Sequence, residues 1–249
     1  MDPRLSFCIQ TAFEAGRSTL ALYQTGVAVD EKADSSPVTQ ADRNAEAIVR
    51  RLVAQSWPGE AILGEEEGGD KTSLDRWVVD PIDGTKSFVA GVPLFATLLS
   101  YEQGGKPIAA AVYFPALDEM FWASKGGGAF WNGRPIQVRQ TNEISNATLL
   151  SGSYRSMRDH GRMAGYHKLA DQAKVTRGWS DAYGHALVAS GRADVMLDPV
   201  IAHWDISAPS LLVQEAGGVF MDFDGVETLG ANAISVVPGL RQMVVEAFR

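Results

Sequence analysis

Apolar residues recur at Leu5, Ile9, Ala12, Phe13, Ala15, Leu20 and Tyr23 ahead of Gly26, a spacing that predicts an amphipathic helix over 5–23. A polar stretch follows from Asp30 to Asp42, and Thr39 stands where it would cap a second helix running through Ile48, Leu52 and Val53. Asp42, three residues on, completes the relaxed capping-box pattern, so a purely structural role is open to it. Ala61-Ile62-Leu63 reads as a short strand leading into Gly64 and three glutamates, Glu65-Glu66-Glu67. A second apolar run, Trp77-Val78-Val79, stops at Asp80 and turns through Pro81 and Gly84. Over 94–101, 106–114, 119–123 and 128–138, β-branched and aromatic residues alternate with turn signals such as Gln103-Gly104-Gly105 and Asn132-Gly133, which predicts an antiparallel meander.

Near residue 140 the pattern changes to alternating strands and helices. Strands are expected at 148–151, 174–176, 194–197, 219–222 and 233–237, and helices at 159–173, 181–190, 205–215 and 239–248. The change divides the chain into an N-terminal α+β half, 1–140, and a C-terminal α/β half, 141–249, packed as one compact unit without a flexible linker.

Composition narrows the function. Lys and Arg number 22 against 30 Asp and Glu, for a formal charge of −8 with no basic block, which disfavours a nucleic-acid partner. The single cysteine, Cys8, allows no intramolecular disulfide, and no Cys/His cluster suggests zinc, so a cytoplasmic protein is expected. The start, MDPRLSFCIQ, lacks a signal-peptide pattern, and no run approaches the length of a membrane span.

The candidate chemistry lies in WVVDPIDGTKSF, residues 77–88. Asp80 and Asp83 project from the end of an expected buried strand, and two carboxylates that close repel unless a positive charge sits between them. Gly84-Thr85-Lys86-Ser87 would expose backbone N–H groups beside that cation, a natural place for a phosphate. The glutamate run after 61–63 also ends a strand, and carboxylates at neighbouring strand ends can converge on one ion.

Taken together, SPVTQAD, GEEEG, WVVDPIDGTKSF, GGGAFWNGRPIQV and HWDISAPSLLVQEAGG resemble, in that order, the motifs of the inositol monophosphatase-like superfamily of magnesium-dependent phosphatases. The resemblance implies a layered αβαβα fold of the α/β class, a homodimer, and two or three Mg²⁺ per subunit. It implies that Glu65, Asp80 and the Ile82 carbonyl bind one ion, and that Asp80 is shared with a second ion held also by Asp83 and Asp205. It further implies that Thr85 pairs with Asp42 to activate water with help from Glu65, and that the N–H groups of Gly84 and Thr85 hold the phosphate. Lys32 matches a family lysine that would stabilise the phosphate, although an exposed loop lysine fits equally. Asp205 as an N-cap is a further structural role; Glu66 and Glu67 are expected to be solvated.

The metal motif fixes hydrolysis of a small phosphate monoester but not the alcohol. The segment TRGWSDAYGHALVASGRADVMLDPVIAHWD is similar to the histidinol-phosphatase branch. There Asp181 and Asp198 would contact the substrate, and two carboxylates suit the ammonium and imidazole of histidinol phosphate. Asp181 as a helix cap and Asp198 as a turn residue are the structural alternatives. An inositol-1-monophosphatase or broad sugar-phosphate phosphatase is the rival within the family, and a non-catalytic binding protein with this fold the rival outside it. His185 and His203 are expected to be hydrogen-bonded structural residues.

Overall fold

The computed structural model describes residues 2–32 and 36–249; positions 33–35 of the expected polar stretch lie outside them. The first helix, α1 (Pro3–Thr19), is capped by the Asp2 side chain and ends four residues before the expected boundary at Tyr23. A short antiparallel pair that sequence patterning did not suggest, β1 (Val29–Glu31) and β2 (Pro37–Thr39), leads into α2 (Gln40–Ser56). The Thr39–Asp42 capping box is present.

Strands β3 (Ala61–Gly64), β4 (Gly68–Gly69) and β5 (Arg76–Asp83), the short helix α3 (Thr85–Val89), then β6 (Ala96–Gln103), β7 (Lys106–Phe114), β8 (Glu119–Ser124), β9 (Gly128–Trp131) and β10 (Arg134–Ile136) follow in sequence. Their eight strands form one sheet in the order β10-β9-β8-β7-β6-β5-β3-β4. The meander is antiparallel as expected, and the run at 128–138 splits at Asn132-Gly133 into the hairpin β9–β10. Only β3 and β5 run parallel within this sheet.

The remaining elements are β11 (Thr148–Ser151), α4 (Tyr154–Asp159), α5 (Met163–Ala170), β12 (Val175–Arg177), α6 (Asp181–Ala189), β13 (Val195–Asp198), α7 (His203–Glu215), β14 (Val219–Met221), β15 (Ala233–Val236) and α8 (Arg241–Ala247). The helix expected over 159–173 is shorter, α5 at Met163–Ala170, and an unexpected helix, α4, precedes it; between them Gly161 takes φ 69°, a left-handed conformation that a helix interior does not accommodate. A 3₁₀ turn, Pro238–Leu240, replaces the start of the expected last helix. A five-stranded sheet, β12-β11-β13-β15-β14, joins the strands of this part of the chain.

Helices α1 and α2 cover one face of the eight-stranded sheet, and α7 packs on β6, β7 and β8 while also meeting β14 and β15. With α6 alongside α7, that pair lies between the two sheets. Met157, Leu169 and Val244, from α4, α5 and α8, join the same core and complete an αβαβα layering. Burying these apolar faces is what orders the stack, because each sheet face and helix stripe must find a partner away from water. Among the described residues, no helix is long and apolar enough to cross a membrane.

Candidate active site

The parallel register of β3 and β5 pairs Gly64 with Val79, so the next residues, Glu65 and Asp80, stand side by side where β3 ends and β5 continues. The N–H of Glu65 donates to the Val79 carbonyl at 3.3 Å, keeping the two chains together at that point. In a regular strand, residues three apart face opposite sides. Between Asp80 and Asp83 the pairing of β5 with β6 is irregular, with three steps on β5 against two on β6, and this bulge brings both aspartates to one side. From the far side of the chain, the first turn of α7 adds Asp205. Carboxylate oxygens of Asp80, Asp83 and Asp205 lie within 4.8 Å of one another.

These charges are not left free to separate. Asp83 Oδ2 accepts from the Ala182 N–H at 2.8 Å, and Asp205 Oδ2 accepts from the Ala202 N–H at 3.0 Å. Asp80 Oδ1 is buried with no hydrogen-bond donor among the described residues. A buried, unpaired carboxylate oxygen is costly, and hard carboxylate oxygens are the ligands that Mg²⁺ takes. The donor set therefore fits a divalent ion. Burial pushes all three carboxyls well up, helped at Asp80 by Glu65 and Asp205 and at Asp83 by Asp181; Asp205 rises to about 7.

A cleft of about 200 Å³ opens over this cluster, lined among others by Glu65, Ile82, Gly84, Thr85, Lys86 and Asp181. Gly84 caps α3 with φ 78°, and a Cβ there would stand 3.0 Å from the Leu94 carbonyl and 3.2 Å from Asp181 Oδ2. Glycine is thus required both by conformation and by space. The Thr85 hydroxyl lies 3.0 Å from the Ile82 carbonyl and 3.3 Å from Asp42 Oδ1. Asp42 serves both roles that its sequence left open: Oδ2 accepts from the Thr39 N–H and hydroxyl, while Oδ1 faces Thr85. Burial raises its pKa above the ordinary carboxylate value, against the pull of the Thr39 hydrogen bonds.

Several expectations change. Glu66 is not solvated: its side chain is largely buried, Lys32 donates to it and to Glu65 at 2.7 Å each, and burial raises its pKa to about 7. Glu67 is exposed but sits 3.3 Å from Arg50. Lys32 is accordingly not an exposed loop lysine; its ammonium is held by two carboxylates, whose bonds outweigh burial and raise its pKa. Asp205 is not an N-cap, since α7 begins two residues earlier and Asp205 reaches back from its third position.

Asp181 lines the cleft with φ 57°, and its carboxyl is pushed up to about 6 by burial and by Asp198. It does not cap α6, where the N-cap is Ser180. Asp198 lies outside the cleft lining, near enough to act electrically on Asp83, Asp181 and Asp205, and its Oδ2 is 3.2 Å from His185 Nε2. His203 bonds the buried Glu102 at 2.7 Å, as a structural histidine would.

Two participants were missed. Glu46 is fully buried in α2 and accepts from the N–H groups of Glu66 and Glu67, so it shapes the turn that presents Glu65. Gly64 leaves room for it, because a Cβ there would lie 2.3 Å from Glu46 Oε1. Lys86 lines the cleft; a cation directly after Gly84-Thr85 was its only sequence signal.

A family model described as the inositol monophosphatase family matches residues 1–247. A histidinol-phosphatase from Chlorobaculum parvum is 38% identical over 92% of this chain and 89% of its own length. An inositol-1-monophosphatase from Mesorhizobium japonicum is 36% identical over 94% of this chain and 91% of its own. Among solved structures, a Thermotoga maritima IMPase superposes with a TM-score of 0.91 at 31% identity, covering 100% of this chain and 97% of that one.

Proposed function

Because the chain belongs to the inositol monophosphatase family and is a phosphatase of that family, we propose that it is a Mg²⁺-dependent monoester hydrolase releasing phosphate from histidinol phosphate, in histidine biosynthesis. The observation that carries the substrate half of this reading is Asp181, whose carboxyl lines the cleft opposite Gly84 with Asp198 behind it. A carboxyl in the cleft with a second behind it suits an alcohol that carries an ammonium and an imidazole, and offers little to a neutral polyol. The name of the Chlorobaculum parvum relative points the same way.

Glu65, Asp80, Asp83, Asp205 and the Ile82 carbonyl would hold two or three Mg²⁺. Bound there, Mg²⁺ supplies Lewis-acid polarisation of the phosphoryl oxygens and neutralises the carboxylate cluster. The chain does the rest. N–H groups of Gly84 and Thr85 at the start of α3 have no intrahelical acceptor and bind phosphate oxygens. The Thr85 hydroxyl, tied to Asp42 and Ile82, orients the attacking water, and Asp42 takes its proton through Thr85. A raised pKa makes Asp42 a better proton acceptor than an exposed aspartate. Lys32 holds Glu65 and Glu66 in place and adds positive charge near the phosphate.

A second reading, inositol 1-phosphate as substrate, is favoured by the Mesorhizobium japonicum relative. Phosphate release from histidinol phosphate with Mg²⁺ tests the first reading. Hydrolysis abolished by EDTA and restored by added Mg²⁺ supports it, whereas no release at millimolar substrate contradicts it.

A further inference from the structure

His185 lies in the middle of α6, wholly enclosed by protein and packed against the Phe220 ring. Its two ring nitrogens are both engaged. Nδ1 is 2.7 Å from the Ser235 hydroxyl on β15, and Nε2 is 3.2 Å from Asp198 Oδ2 at the end of β13. Ser235 is itself fully buried, so its hydroxyl has no water to turn to. With the ring neutral, the row is satisfied when Ser235 donates to Nδ1 and Nε2–H donates to the Asp198 carboxylate. The opposite tautomer would aim a lone pair at Asp198. Oδ2 is thereby fixed, and Oδ1 lies over Gly152, where a Cβ would stand only 2.8 Å away. Asp198 in turn acts on Asp181 at the cleft.

We infer that His185 is a positioning residue for substrate selection: with Ser235 on one side and Asp198 on the other, it fixes the orientation of the Asp198 carboxylate behind Asp181, and so the acidic end of the cleft that would take the cationic end of the substrate. The inference rests on the histidinol phosphate reading and extends it to a residue that touches neither substrate nor metal ligand. The alternative is a core histidine that is merely hydrogen-bonded, whose loss would weaken the fold and affect all substrates alike.

The experiment compares His185→Gln, whose amide reaches the place of Nε2, with His185→Asn, whose amide reaches only that of Nδ1. Both kcat and KM are measured on histidinol phosphate and on inositol 1-phosphate, with Tm as a check on folding. His185→Asn should raise KM for histidinol phosphate about tenfold with kcat within about threefold and inositol 1-phosphate unaffected, and His185→Gln should restore most of the loss. Ser235→Ala, a smaller change that keeps the ring, should raise the same KM about threefold and serves should His185→Asn not fold. Equal effects of Asn and Gln, equal effects on both substrates, or no effect of Ser235→Ala would overturn the inference. The parent enzyme in the same assay tests the substrate reading separately. Without a preference for histidinol phosphate both fall; with that preference but indistinguishable variants, only the role of His185 falls.

Discussion

The Ala182 N–H donates to Asp83 Oδ2 at 2.8 Å, a bond between residues 99 positions apart that ties the first turn of α6 to the end of β5. One oxygen of Asp83 is thus committed to the protein, and the other is left for an ion. Asn at this position would keep the bond through its amide oxygen while removing the charge.

Asp83→Asn should therefore lower turnover by more than the roughly 10–100-fold that outer-shell changes at metal sites cost. Its Tm in chelator should be no lower than that of the parent, since one of several crowded, buried carboxylates has been neutralised. A variant that retains most of its activity would remove Asp83 from the metal centre.

Asp181 reaches its place in the cleft with φ 57°, a conformation that glycine adopts freely and other residues do not. Asp181→Gly should be more stable than Asp181→Ala by about 1 kcal/mol, because alanine keeps the strain and glycine releases it. Both should raise KM for histidinol phosphate, since both remove the carboxylate. Equal melting temperatures for the pair would contradict the strain.

Thr85→Val deletes the hydroxyl that faces Asp42 and that the proposed mechanism sets between Asp42 and the attacking water. Steady-state kinetics should show kcat reduced by roughly 10²–10⁴-fold, the range for a lost acid–base group, with KM little changed. Thr85→Ser, which keeps the hydroxyl, should retain most of the activity. A fully active valine variant would exclude Asp42–Thr85 from proton transfer.

What the sequence made legible was local. The Thr39–Asp42 cap and the Gly84 turn each depend on neighbours within a few residues, and each is present; the run 77–79 is a strand as expected, but β5 continues past Asp80 to Asp83. Pairings across the fold left no such trace. Glu66 reads as one of three surface glutamates until Lys32, 34 residues away, closes on it. His185, Ser235 and Asp198 come from three separate elements, and no periodicity in any of them marks the row they form. The left-handed Asp181 was hidden for a related reason: aspartate at a helix start ordinarily signals a cap, and only the bond from the next residue, Ala182, to Asp83 at the end of β5 brings it to the cleft.

The carboxyl cluster also predicts how the metal-free protein responds to pH. Asp205 rises to about 7 and Asp181 to about 6, with Asp80 and Asp83 also raised, so the folded state holds protons that the unfolded chain releases. Stability is then fully present below the ordinary aspartate pKa and lost as pH climbs through the folded values. In chelator, Tm should fall between about pH 5 and about pH 7.5, and saturating Mg²⁺ should oppose the fall by replacing those protons. A Tm in chelator that is flat or rises over this range would contradict the clustering.

The most direct measurement is the ratio of kcat/KM for histidinol phosphate to that for inositol 1-phosphate, taken on the unmodified protein with Mg²⁺. Asp181 in the cleft, with Asp198 behind it, predicts a ratio of at least about 10², the equivalent of a charge-assisted contact or two. A ratio near one, or below it, would leave the phosphatase centre intact and contradict the assignment of histidinol phosphate as the substrate.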